Sequence, residues 1–249
     1  MQVPLLRARS MGEILDAAFQ LLRVHYSAVV LASGVFLLPP VLLNLLAPSF
    51  APVTNILDRL LSLAASAVVA VVVSDIYLGE EVDLGRSIRA VGRRFGSVWG
   101  AALIQGLVIV VGLLLLIVPG IIFAAWSFAM PAIVMIEGAS AGESWDRSKS
   151  LAKGYVWHIL ATLGVAWLMV VAAFMGVVFI AGFGIGMLGV GEAIVEPISA
   201  IALLLLYPFV GVVGTLLYYD LRIRKEGFDL EILARSMGEA APLSLVKQR

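Results

Sequence analysis

Between Leu113 and Gly154 the chain reads LLLLIVPGIIFAAWSFAMPAIVMIEGASAGESWDRSKSLAKG. One long apolar run ends there, Pro119-Gly120 interrupts it, a second apolar run follows, and charge arrives abruptly at Glu143, Asp146, Arg147, Lys149 and Lys153. Pro119 has no N–H and Gly120 tolerates positive φ, so the pair ends a helix with almost no polar loop. The pattern predicts a membrane helical hairpin with an uncharged tip that returns to water at a basic helix.

Composition supports the same class. The chain is 61% hydrophobic and 14% charged, whereas soluble domains carry about 25% charge, and several apolar runs approach the roughly 20 residues a bilayer crossing needs. The fold class is therefore all-α, a polytopic membrane helical bundle of about six transmembrane helices. These are arranged as three hairpins with cytoplasmic amphipathic helices. The absence of cysteine excludes disulfides, thiolate metal sites and cysteine nucleophiles.

Along the chain, Ser10 with Glu13 forms a capping-box pattern. Met11, Ile14, Leu15, Ala18 and Leu22 then share one helical face, opposite Glu13, Asp16, Gln20 and Arg23. This is either a helix at the membrane surface or the polar lead-in to the first span. Ser27 to Leu46 is that span, with a kink or break expected at Pro39-Pro40. No small-x-small cleavage site follows it, so a signal peptide is not expected. The second span runs from about Leu60 to Tyr77. Asp58-Arg59 at its edge reads as structural anchoring, and Asp75 should pair with an arginine of the next segment.

Asp83 to Gly96 predicts a basic amphipathic helix with Leu84, Ile88, Val91 and Phe95 on one face and Arg86, Arg89, Arg93 and Arg94 largely on another. The third and fourth spans, Val98 to Val118 and Gly120 to Ile136, form the opening hairpin, with Pro131 near the middle of the fourth. Gly142 to Gly154 is a third amphipathic segment. The fifth apolar stretch, Val156 to Met187, is long enough to require tilt, extension or unwinding. Gly182, Gly184, Gly186, Gly189 and Gly191 favour unwinding at its outer end. The last span covers about Ile198 to Tyr219.

All of the 17 Lys and Arg residues except Arg59 fall on one side of these six spans. By the positive-inside rule that side is the cytoplasm, with both termini in it and the bacterial cytoplasmic membrane as the location. Trp99, Tyr155, Trp157, Tyr218 and Tyr219 are placed at that boundary as an aromatic belt. A sparse internal repeat accompanies this order. A shift of 130 aligns Gly12, Glu13, Asp16, Leu21 and Arg23 with Gly142, Glu143, Asp146, Leu151 and Lys153, and a shift of 73 aligns Gly12 and Ala17 with Gly85 and Ala90. Each unit is a surface helix followed by two spans.

The segments IVPGIIFAAWSFAMPAIVMIEG, ESWDRSKSLAKGYVWHIL and YYDLRIRKEGFDLE resemble the membrane domain of bacterial glycerophosphoryl diester phosphodiesterases, over Gly12 to Glu231. The marks that carry the resemblance are Pro119-Gly120, Glu137-Gly138, Arg147-Ser148, Tyr219-Asp220-Leu221-Arg222 and Arg224-Lys225-Glu226-Gly227. In two-domain relatives a soluble barrel performing metal-assisted phosphodiester hydrolysis follows this region. Here residues 1–231 are the membrane domain and 232–249 a short cytoplasmic tail, so the resemblance implies a stand-alone form without that activity.

Hydrolysis of a phosphodiester needs clustered carboxylates, a cation and a general acid and base. With only His25 and His158, both at segment boundaries, no catalytic residue, metal ligand or cofactor site is expected. Nucleic acid is not an expected partner.

The expected function is a non-catalytic membrane scaffold or accessory protein. Its basic cytoplasmic face would comprise Arg86, Arg89, Arg93, Arg94, Arg147, Lys149, Lys153, Arg222, Arg224 and Lys225, and it would meet anionic lipid or a membrane or cytoplasmic protein. The alternative is a transporter or lipid-handling protein, whose few polar candidates within the spans are Gln105, Ser127 and Ser66. Glu137, Arg147, Asp220 and Arg222, at the ends of different spans, are candidate structural pairs.

Overall fold

A computed structural model of the chain describes residues 7–188 and 195–230. Among them there is no strand, and six helical stretches are long and apolar enough to cross a membrane. The protein is an all-α, multi-pass membrane bundle. The tail at 232–249, together with Gly189 and Gly191, lies outside the described residues.

Three units follow one another. The first is α1 (Met11–Leu46) with α2 (Ala51–Leu78), joined by a short 3₁₀ turn, Pro48–Phe50. The second is α3 (Leu84–Arg93), α4 (Phe95–Leu115) and the returning span. That span comprises α5 (Ile117–Ser127), the single turn α6 (Met130–Ala132) and a π-turn, Ile133–Glu137. The third is α7 (Ala141–Ala152), α8 (Val156–Leu188), α9 (Val195–Leu206) and α10 (Pro208–Glu226).

The repeat seen as scattered identities is a repeat of structure. The side chains of Ser10, Asp83 and Ser140 each cap a helix by accepting the N–H three residues on, which satisfies a free first-turn donor. These caps stand at the same offsets of 73 and 130. Equivalent inward positions are buried in all three units: Ile14, Ser87 and Ser144 on one turn, Ala18, Val91 and Ser148 on the next. Each unit also closes on a glycine in the left-handed region, Gly79, Gly138 and Gly227, where a side chain would be strained.

Several boundaries differ from the sequence expectation. Helix α1 does not break at Pro39-Pro40. It continues through both prolines, and its only non-helical residue is His25 (φ −116°, ψ 22°). Its first half is also no helix lying across the bundle end: Arg9 meets Asp220, the Phe19 ring lies tilted against Phe209 at 4.9 Å, and the Tyr26 hydroxyl donates to the Leu205 carbonyl. Those contacts run back along α10 and into the end of α9, so the amphipathic segment climbs the last span as a lead-in to its own. The tip of the second hairpin is Leu116 alone (φ −174°, ψ 156°). Pro119 sits within the first turn of α5, where no intrahelical N–H bond is owed.

Helix α8 stays helical through Leu188, so Gly182, Gly184 and Gly186 lie inside it rather than in an unwound end. The last span is kinked, with Tyr207 between α9 and α10 ahead of Pro208.

Helix α2 is the axis of the bundle. It touches α1, α3, α4, α6 and α10, and its buried stretch is small: Ala64, Ala65, Ala67, Val68, Ala70 and Val72. Small side chains let helix backbones approach where no hydrophobic driving force operates between helices in lipid. The opposite surface is apolar and outward-facing, as at Leu103, Leu107, Val110 and Leu114 of α4 and Leu168, Val171, Met175 and Phe179 of α8. Such a surface suits hydrocarbon and would be a liability in water. Tyr218 and Tyr219 are fully buried, so they belong to the core and not to an aromatic belt. Trp157 is 83% exposed.

Candidate functional site

Two places gather the chemistry of the bundle: the charged end, and a cavity between the hairpins.

At the charged end Arg147 of α7 reaches both oxygens of Glu137 (2.9 and 3.2 Å) and also ion-pairs with Glu226 at the end of α10. Tyr218 donates to Glu137 at 2.9 Å, and Arg222 bonds Glu226 at 3.2 Å while its Nε lies 4.0 Å from Glu137. The hydrogen bonds that it donates to Glu226, then to Glu137, hold the Arg147 guanidinium well above its ordinary pKa, so it stays charged throughout the accessible pH range. Of the four residues named as candidate pairs, Glu137, Arg147 and Arg222 meet, and Glu226 takes the fourth place.

Asp220 belongs to a separate knot. It accepts from the Arg9 amide at 2.6 Å and from Arg224 at 2.7 Å, with His158 Nε2 at 3.4 Å, and Arg224 also donates to the Arg9 carbonyl. This knot joins the start of the first unit to the end of the third, closing the ring of hairpins. Nothing local in the sequence points to the Arg9 amide as a partner, since it is a backbone group 211 residues away.

The rest of the proposed basic face divides. Arg86 bonds Asp75 at 2.9 Å, the pairing expected for Asp75, and that bond raises the arginine's pKa. Arg94 donates to the Gly138 carbonyl, and Lys225 to that of Ser150. Lys149 lies over Trp126, 4.8 Å from the ring centre. Among the described residues Arg89 bonds only its own helix at Gly85, while Arg93 and Lys153 are exposed. Most of the ten basic residues therefore tie elements of the bundle together, and Arg89, Arg93 and Lys153 face outward. Phe95 leaves the apolar face of α3, because the chain bends at Arg94 (φ −104°, ψ 18°) and Phe95 begins α4.

The cavity is a half-open cleft lined by α2, α4, α5, α6, α8 and α10, with a volume of about 550 Å³. Its wall is largely apolar, with Leu63, Ile109, Phe128 and Leu163, but Arg59, Ser62, Ser66, Gln105, Tyr207 and Thr215 also line it. A second cavity of about 570 Å³ adjoins it towards the opposite end, between α1, α2 and α9. Arg59, Ser62, Trp167 and Tyr207 line both.

The polar wall has a local cause in one case. Pro131 has no N–H for the Ser127 carbonyl four residues back, which breaks the returning span. That carbonyl accepts from Gln105 Nε2 at 3.3 Å, and the Ala129 amide at the same break donates to Ser148 Oγ at 3.3 Å. Gln105 and Ser127, two of the polar candidates named from sequence, thus meet at a proline break beside the cavity. The third, Ser66, lines the cavity as well.

Asp58 and Arg59 are placed differently from expectation. Helix α2 begins at Ala51, so these charges lie two turns inside it rather than at its edge. Hydropathy alone trims the helix there because Thr54, Asn55, Asp58 and Arg59 are polar, although Thr54, Asn55, Asp58 and Arg59 all line the second cavity. Among the described residues no group of three or more His, Asp or Glu is arranged to hold a metal ion. No family model, no curated protein and no solved structure matches this chain.

Proposed function

We propose that this protein handles a lipid: it takes an amphipathic membrane molecule between its hairpins and holds it in the central cavity. The observation that carries this is the cavity itself, a space of about 550 Å³ inside the ring of hairpins, apolar over most of its wall and polar at Arg59, Ser62 and Tyr207. Ligand sites of this size combine an apolar lining with a few fixed polar groups. Ion-coupled transport would need more ionisable groups at mid-depth, and an amphiphile does not. The charged end then faces the cytoplasm of a bacterial inner membrane by the positive-inside rule. In this reading the described bundle is a relative of the phosphodiesterase membrane domain that binds lipid and does no chemistry on it.

Photoactivatable phospholipid in proteoliposomes tests it, with adducts mapped by mass spectrometry. Adducts on Leu63, Ile109 and Leu163 are expected. Adducts confined to outward residues such as Leu103 and Leu107 would overturn lipid occupancy of the cavity.

The scaffold reading retains one specific support, the outward Arg89, Arg93 and Lys153, each able to add about 1 kcal/mol of attraction near an anionic leaflet. Neutralising all three should abolish binding to anionic vesicles if they form a docking face. Unchanged binding would remove it.

A further inference from the structure

We propose that Asp58 and Arg59 form the headgroup site for a zwitterionic phospholipid, its phosphate on Arg59, its ammonium on Asp58 and an acyl chain in the central cavity. The proposal rests on the lipid-handling reading and names the class of lipid.

Three observations converge on it. First, neither side chain makes an ion pair within 4.0 Å, with the other or with any described residue, although both are charged groups on a membrane-spanning helix. Charges in such segments ordinarily find a partner or mark a ligand path. The carboxylates that lie between elements at the charged end contrast with this: Asp75, Glu137, Asp220 and Glu226 all have cationic partners.

Second, the two residues address different spaces. At 3.6 residues per turn, neighbours on a helix point about 100° apart. Asp58 lines only the second cavity, whereas Arg59 stands at the divide between the two. A headgroup whose phosphate lies at the divide would place its ammonium on the Asp58 side and its chains on the other. Trp167, Tyr207 and Ser62 share the divide and carry donors suited to phosphate and ester oxygens.

Third, the depth fits. At 1.5 Å per residue Arg59 is about 24 Å along α2 from Asp75 and roughly 12 Å from its first residue. In a bilayer of about 40–45 Å with a hydrocarbon core of about 30 Å, that is roughly 5 Å below the headgroup boundary of the leaflet at the opposite end, a depth from which a long arginine side chain reaches the phosphate level. A lipid of that leaflet could enter with little change in headgroup depth.

The test uses the full chain purified in detergent. Native mass spectrometry would compare phosphatidylethanolamine with phosphatidylglycerol of identical acyl chains. The wild-type protein should retain the zwitterionic lipid about tenfold more tightly, the scale of one hydrogen bond to a charged group. Arg59→Gln should weaken both lipids about tenfold, and Asp58→Asn should weaken only phosphatidylethanolamine, leaving phosphatidylglycerol unchanged. Glycerophosphoethanolamine, the same head without chains, should not displace bound lipid at equal concentration. Equal retention of the two lipids by wild type, wild-type binding in Arg59→Gln, or displacement by the soluble head would each overturn the proposal.

The wild-type preference requires no variant, so misfolding of either variant leaves the test intact. Ala102→Trp, which fills the central cavity, separates the two readings. If it expels lipid while Arg59→Gln does not, the cavity still holds lipid and the headgroup assignment falls. If neither expels lipid, both fall.

Discussion

At the scale of single residues, the caps and the charged end make different demands on pH. The backbone N–H of Ser140, then its hydroxyl, hold the Glu143 carboxyl below its ordinary value of 4.5. A depressed folded pKa adds stability that is fully present above the unfolded value and is lost as pH falls through the folded one. Glu143→Gln keeps the cap geometry without titrating, so its melting temperature should fall less than that of wild type as pH drops below 4.5. A parallel fall in both proteins would show that the cap does not titrate with folding.

Arg147 makes a stiffer demand, because one guanidinium holds the ends of two hairpins and its side chain is only 30% exposed. Arg147→Glu should cost about 2–3 kcal/mol. Adding Glu137→Arg should recover only part of that, because Glu226 would then face a second carboxylate. Complete recovery in a thermal melt would mean that Glu226 contributes nothing.

The Asp75–Arg86 pair was legible in the sequence, since an acid one turn inside a helix end precedes a basic segment. The Asp220 knot was not. Its partners are an amide and side chains from three elements, and proximity of that kind is a product of the fold.

At the scale of elements, helix existence was readable from apolar length, and most breaks were not. Proline signals a missing N–H, but the consequence depends on what satisfies the carbonyl left behind. At Pro131 the Gln105 amide does so, and the span breaks into α5, α6 and a π-turn. At Pro39 and Pro40 the helix simply continues. The charged pair at 58–59 hid the start of α2, because a hydropathy window penalises polar residues whether they face lipid or a cavity. Gln105→Leu should strand the Ser127 carbonyl beside the break and cost about 1–2 kcal/mol, within the range seen for hydrogen bonds between membrane helices. Unaltered stability would mean that water replaces the amide.

A close backbone approach joins α4 to α5 near the hairpin tip. A Cβ built on Gly112 would stand 2.6 Å from Phe123 Cδ2 and 2.7 Å from Gly120 Cα. Phe123 could turn aside, but the Gly120 backbone could not. Gly112→Val should therefore splay the hairpin and cost about 1–3 kcal/mol, and an unshifted melting curve would show that the tip tolerates separation.

At the scale of the whole molecule, the three-unit repeat explains why one set of helix signals recurs with few identical residues. Each unit must begin with a cap, bury two successive turns, bend into a span and end on a left-handed glycine, and these requirements constrain residue class more than identity. Hence Ser10, Asp83 and Ser140 can differ while doing the same work.

Ring closure is where the first and third units meet, through the buried carboxylate of Asp220, whose side chain is 1% exposed. Hairpins that insert independently and then pack should reassemble when cut between units. Residues 1–139 and 140–249, co-expressed, should co-purify through the contacts of α2 and α1 with α10 and through the Arg9–Asp220 knot. Asp220→Ala in the second fragment leaves Arg224 and the Arg9 amide without their acceptor. At about 3 kcal/mol for one broken buried charge pair, fragment association should weaken more than tenfold, while each fragment alone still inserts. If the fragments associate equally well with and without Asp220, apolar packing closes the ring and the knot only decorates it.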